Sequence, residues 1–137
     1  VGQHAWHRTG AAGTVEVTPV GLKGHEFALW LQDGDIPTLQ VGGEVDMATA
    51  PALLDTATRL LKASGRLLVD LERITFLASS GLSALVQLRE RARTHAQLIE
   101  FVASQQAVLR PLTLTGLTDV VRPQPTEREA RQGLGKL

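Results

Sequence analysis

The spacing of hydrophobic and polar positions changes several times along this chain, and each change marks an element. From Phe27 the run FALWLQ reaches a polar DGDI and continues as PTLQVGGEV. Two short apolar runs around a turn predict a β-hairpin, with Asp33-Gly34 expected to supply the positive φ of a tight turn. Pro37 cannot donate to a ladder, so the second strand is expected to start beyond it or to lie at an edge there. Thr49 as cap and Pro51 in the first turn then open a predicted helix. Leu53, Leu54, Ala57, Leu60 and Leu61 share one face of it, Asp55, Arg59 and Lys62 point away, and Gly65 stops it.

RLLVDL, Arg66 to Leu71, is a continuous apolar run of the kind a strand covered on both faces presents. A loop and ITFL follow, and then a second predicted helix with Leu82, Leu85, Val86 and Leu88 on its buried side. Arg89, Glu90, Arg91 and Arg93 are assigned to its solvated face. LIEFVA, Leu98 to Ala103, is another strand. Ser104 is expected to cap a third helix, which Pro111 should kink or end early and Gly116 closes. TEREARQGL, after Pro123 and Pro125, reads as a short charged helix or a frayed tail. Before Phe27 periodicity is weak, although TVEVTPV alternates enough for a short added strand.

Strand and helix alternate from Val41 to Ala103, so the expected class is α/β: a single domain, a mixed β-sheet with helices packed on it. The expected division is a flexible N-terminal extension at 1–26, the domain at 27–121, and a C-terminal tail or short helix at 122–137. There is no internal repeat.

Composition narrows the function. The chain has 137 residues, 43% of them hydrophobic and 20% charged, enough to bury a core without staples. Fourteen basic and fourteen acidic residues cancel, and there is no Tyr, so neither a net field nor a stacking platform favours nucleic acid. With no cysteine, disulfides and thiolate chemistry are excluded. No apolar run approaches the ~20 residues of a membrane span. The opening VGQHAWHRTG lacks the order of a secretion signal, and the expected location is the cytoplasm. His4-x-x-His7 sits in the extension with no third ligand nearby, and His25 and His95 are isolated, so no metal is assigned. Gly42-Gly43 lacks a G-x-G-x-x-G context, and QGLGKL lacks Ser or Thr after its lysine. No cofactor is expected.

The chemistry that remains is in TFLASSGLSAL, Thr75 to Leu85, where Ala78-Ser79-Ser80-Gly81 stands between a strand and a helix. No G-x-S-x-G elbow or partner histidine supports a nucleophile, and no catalytic residue is assigned. Either serine suits an N-cap, and Ser80 is the alternative cap that leaves Ser79 exposed. A serine at a helix N-terminus also suits phosphorylation, because free N–H groups and the helix dipole favour an anion there. Asp46 ends the preceding strand, where capping the helix near Thr49 is the local alternative to a functional role.

Three blocks carry a resemblance: GGEVDMATAP (Gly42 to Pro51), LLVDLERITFLASSGLSALVQL (Leu67 to Leu88) and AVLRPLTLTGLTDVV (Ala107 to Val121). In this order and spacing they resemble the STAS domain of bacterial anti-sigma factor antagonists, a domain also appended to sulphate transporters. The middle block is the most specific, since the family reads D-S-S-G or D-S-T-G before Leu at a strand-to-helix turn. The resemblance implies a small α/β regulatory domain without enzymatic activity. It also implies a partner, an anti-sigma factor that is a serine kinase and phosphorylates the first serine of that motif, here Ser79, with Ser80 as the alternative. Partner contact is implied at Asp46, Ala78, Ser79, Ser80, Gly81 and Leu82. The chain departs from the family at Ala78, where the family has Asp, and at Pro111. The first departure favours a second reading, a constitutive docking subunit of another complex, such as a lipid-transport ABC ATPase or a signalling scaffold, without phosphorylation. Nothing in the sequence fixes the oligomeric state.

Overall fold

The computed structural model describes residues 4–8, 14–19 and 26–135. Its sheet has six strands in sequential order: β1 (His4–Arg8), β2 (Thr14–Pro19), β3 (Phe27–Gln32), β4 (Thr38–Val45), β5 (Arg66–Leu77) and β6 (Leu98–Val102). Neighbours from β1 to β4 are antiparallel, whereas β4, β5 and β6 run parallel. The helices are α1 (Ala50–Ser64), α2 (Ser79–Thr94), α3 (Gln106–Thr115), α4 (Thr118–Val121) and α5 (Glu127–Leu134). The sheet is therefore mixed, as the class predicted, and each parallel step is a strand–helix–strand crossover.

Strand β5, between β4 and β6, is apolar on both faces over its first half because it is covered on both. Leu67, Val69 and Leu71 enter the main core with Leu53, Leu61, Leu85, Leu88 and Phe101. Leu68 turns the other way, into a second cluster with Val102, Ala130 and Leu134. Helix α5 closes that second face and is docked through its fully buried Ala130 and Leu134. Its start carries a reciprocal cap: Thr126 Oγ1 accepts from Glu129 N at 3.2 Å and lies 3.1 Å from the Glu129 carboxylate.

Several expectations change. The segment RLLVDLERITFL is one strand; the expected loop is a register irregularity against β4, between Gln40 and Gly42 and again between Gly43 and Glu44. The hairpin connection spans 33–37, long enough to turn without a positive φ at Gly34. The left-handed glycine of this region is Gly43, φ 87°, where a Cβ would lie 1.9 Å from Glu26 O. Helix α3 starts after Gln105, not Ser104, whose hydroxyl donates to Glu72 at 2.8 Å instead. Pro111 does not end α3, because Val108 and Leu112, both fully buried on either side of it, anchor the helix until Gly116. Arg89 is not on a solvated face: it lies over the Phe101 ring at 5.1 Å and donates to Ile99 O and Val121 O. Strands β1 and β2 fall inside the segment 1–26, with β2 at the short strand expected in TVEVTPV. His25 and the side chains of His4 and His7 lie outside the described residues.

Candidate functional site

The parallel register brings two chain turns together. Val45 pairs with Leu77 at the ends of β4 and β5, and Ala78 N donates to Val45 O at 2.9 Å. From these adjacent ends one chain leaves through residues 46–49 into α1, and the other enters α2 directly. Parallel sheets place their ligand and partner surfaces at this edge, beyond the carboxyl ends of the strands.

Asp46 organises the first turn. Its Oδ1 accepts from Ala48 N at 2.9 Å and Thr49 N at 3.1 Å and lies 3.2 Å from Thr49 Oγ1. The Thr49 hydroxyl is buried, donates to Glu44 O at 2.8 Å and accepts from Asp46 N at 2.9 Å. Thr49 therefore occupies the cap position of α1 without capping it through its side chain, because its hydroxyl is turned back into the preceding turn. Asp46 therefore locks the loop before α1 and does not take the cap position weighed for it, which Thr49 occupies.

The second turn is built differently from a capped helix start. Ala78 takes the N-cap position of α2, with extended backbone at φ −82° and ψ 173°, and its methyl group cannot accept a hydrogen bond. Neither serine is the cap. Ser79 and Ser80 are the first two helical residues, and no hydrogen bond of either hydroxyl occurs among the described residues. The first intrahelical bond is Leu82 N to Ala78 O, 3.0 Å, so the N–H groups of Ser79, Ser80 and Gly81 precede the ladder. Ser79 is exposed and Ser80 half-buried.

Gly81 has a steric reason. A Cβ there would meet Leu77 Cδ1 at 2.5 Å, Val45 Cγ1 at 2.9 Å and Val45 O at 3.2 Å. Only glycine lets the first turn of α2 press against the end of β4. Leu82 is 5% exposed and belongs to the core, so Gly81 and Leu82 hold the turn from beneath while Ser79 and Ser80 present it.

Two apolar grooves adjoin the turn. One, of about 300 Å³, lies between α1 and α2 and is lined by Met47, Pro51, Leu54, Ser80, Ser83 and Gln87 among others. The other, of about 370 Å³, lies between the end of β5 and α3, along Phe76, Arg110, Pro111 and Leu114. Met47 is 82% exposed, Leu114 74% and Phe76 53%. Phe76 and Leu114 line the same groove, and large apolar side chains grouped in solvent mark a contact surface more than scattered ones do. Sequence reasoning missed this surface: strict alternation puts Phe76 on the side of the buried Ile74, and it stands exposed where the register against β4 shifts between Gly43 and Glu44. No group of three His, Asp or Glu side chains converges on a metal position among the described residues.

The family profile described as "STAS domain" matches residues 31–130. The anti-sigma-F factor antagonist RsfB of Mycobacterium tuberculosis is 31% identical over 102 residues, covering 72% of this chain and 81% of its own. A crystal structure of an anti-sigma factor antagonist from Mycobacterium paratuberculosis superposes with a TM-score of 0.72 at 30% identity, over 80% of this chain and 95% of that one. The anti-sigma factor antagonist SpoIIAA in its unphosphorylated form shares the fold, with a TM-score of 0.63 at 18% identity over 81% of this chain and 97% of its own.

Proposed function

The chain belongs to the STAS domain family and is a homologue of anti-sigma factor antagonists, and from that premise we propose that it is a non-enzymatic regulator that binds a serine-kinase anti-sigma factor. The contact surface is the pair of turns after β4 and β5: the Asp46 loop, Ala78, Ser79 and Ser80, with Gly81 and Leu82 supporting them. The observation that carries this reading is the exposed Ser79, first residue of an uncapped helix, next in the chain to Ser80, which lines an apolar groove together with Met47. On this reading the complex forms in the cytoplasm; no helix among the described residues is long and apolar enough to cross a membrane.

Regulation follows from the same turn. The Ser79 hydroxyl attacks the γ-phosphorus of the kinase's ATP, loses its proton and releases ADP. The product carries about −1.5 to −2 charges at a helix N-terminus. There the unbonded N–H groups and the dipole stabilise it by about 0.3–1 kcal/mol, so the domain stays folded. The cost falls on the partner: about 1.4 kcal/mol of repulsion or lost contact at the interface already weakens binding tenfold. Incubation with the cognate anti-sigma kinase and ATP, followed by peptide mass spectrometry, tests the step. Phosphate on the peptide carrying Ser79 is expected, and its absence from both Ser79 and Ser80 rules the switch out.

One observation favours a second reading. The cap position that the family fills with Asp holds the methyl group of Ala78. A constitutive docking subunit, on a lipid-transport ABC ATPase or a signalling scaffold, needs the surface but not the carboxylate. Such a subunit co-purifies with that complex and shows no phosphate at Ser79.

A further inference from the structure

Away from the two turns, the end of α2, the start of β6 and the residue after α4 wall a concavity of about 200 Å³. Three guanidinium groups line it, those of Arg89, Arg93 and Arg122, with Gln97 and Glu100. Arg89 is committed to the fold: Nη1 donates to Ile99 O at 2.6 Å, Nη2 to Val121 O, and the Glu100 carboxylate stands 3.8 Å away. Burial lowers its pKa, Glu100 opposes that, and Arg122 nearby lowers it further. Arg93 is paired with Glu90 at 3.0 and 2.5 Å. Arg122 has no hydrogen bond or ion pair to its guanidinium among the described residues, and it is exposed. Glu100 is the one carboxylate in the wall and Glu90, outside it, pairs with Arg93, so of the three arginines only Arg122 is left without a carboxylate partner among the described residues.

The frame around that charge is fixed. Arg122 holds a left-handed backbone, φ 52°, with its N–H on Thr118 O at 2.8 Å. Two residues on, Gln124 N donates to Phe101 O at 2.8 Å, and Gln124 O accepts from Ala103 N at 3.0 Å. Two of the carbonyls at the end of α2, which would repel an anion, are engaged: Arg91 O accepts from His95 N at 3.0 Å and Ala92 O from Gln97 N at 2.9 Å. Sites on rigid elements bind without first paying to order themselves. Guanidinium groups match tetrahedral oxyanions through paired N–H donors.

We infer that this concavity binds a small phosphate-class oxyanion, with Arg122 as its principal ligand and Arg93 and Arg89 completing the positive wall. Glu100, also in the wall, limits the site to one such group and excludes a longer polyanion.

Isothermal titration at constant ionic strength, balanced with sodium chloride, tests this with inorganic phosphate and, in a parallel arm, a sugar phosphate. Saturable binding with a Kd on the order of 1 mM or tighter is expected in at least one arm. The arm with the tighter Kd shows whether the group arrives free or as a monoester. Arg122→Gln should weaken it by about tenfold or more, while Arg128→Gln, an exposed arginine on α5, should leave it unchanged. Both variants should melt with the wild type in chloride. No saturable binding in either arm, equal weakening by Arg128→Gln, or equally tight binding of acetate would overturn the assignment.

Discussion

Replacing Gly81 with alanine tests whether the serine turn is held by close packing rather than by capping. Alanine at a helix position is worth about 0.5–1 kcal/mol over glycine, so the change stabilises if space is available. Space is not available: the new Cβ would lie 2.5 Å from Leu77 Cδ1, 2.9 Å from Val45 Cγ1 and 3.2 Å from Val45 O. The leucine methyl can rotate, but Val45 O is held by Ala78 N at 2.9 Å and cannot retreat without opening the strand end. With Val45 O fixed, the overpacking falls in the upper part of its usual range, about 2–3 kcal/mol, leaving a net loss of about 1–2.5 kcal/mol. For a chain of this length that lowers Tm by roughly 3–10 °C. Urea unfolding followed by circular dichroism should show the loss as a shifted midpoint with an unchanged slope. Gly133→Ala is the control, since its Cβ meets only the end of the Glu100 side chain, Oε2 at 3.0 Å, which can swing away. That variant should be neutral or slightly more stable. A Gly81→Ala protein as stable as wild type would refute the packing argument, and with it the idea that the glycine positions Ser79 and Ser80.

The remaining predictions concern the supports of the site and the sheet. Arg89→Met should cost about 2 kcal/mol in the same assay, because the carbonyls of Ile99 and Val121 lose a charged donor in a half-buried place; a neutral result would make Arg89 mere filling. Asp46→Ala should cost about 1 kcal/mol or more through the lost bonds to Ala48 N and Thr49 N, and hydrogen exchange should speed up at those two amides first. Asp70 has a raised pKa, chiefly from burial, against the bond from Glu72 N at 3.0 Å. Its ionisation is therefore harder in the folded state, so its penalty is absent below the usual 3.8 and grows as pH rises through the raised folded value. Asp70→Asn, which keeps an oxygen for Glu72 N, should stabilise the protein at neutral pH and lose that advantage on acidification; an advantage independent of pH would contradict this.

The strands and the long helices were legible because burial writes a period into the sequence. Leu53, Ala57 and Leu61 are fully buried on α1 as their spacing predicted, and RLLVDL reads as a strand because it is covered on both faces. The ends of elements were less legible, because caps depend on where neighbouring backbone runs. Ser104 is a good cap by residue type, yet Glu72 on β5 takes its hydroxyl, and α3 starts one residue later. The same holds for the serines: nothing local reveals that Ala78, a poor cap, takes that position because its N–H is drawn to Val45 O. Arg89 reads as solvated from its charge and its charged neighbours alone, although helical spacing sets it four residues from Leu85 and seven from Leu82, on the buried side. Its burial comes from β6 and α4, which the chain adds later.

The central claim is that Ser79 is the control point of a partner surface. The most direct test is affinity capture from a lysate of the native host with three baits: wild type, Ser79→Ala and Ser79→Asp. Aspartate at the start of α2 should leave the fold as stable as wild type or slightly more so, which a melting curve verifies for each bait. An anti-sigma kinase captured by wild type and Ser79→Ala, and lost with Ser79→Asp, is the predicted result. Capture of one partner equally by all three would contradict the switch and leave a docking domain whose regulation lies elsewhere.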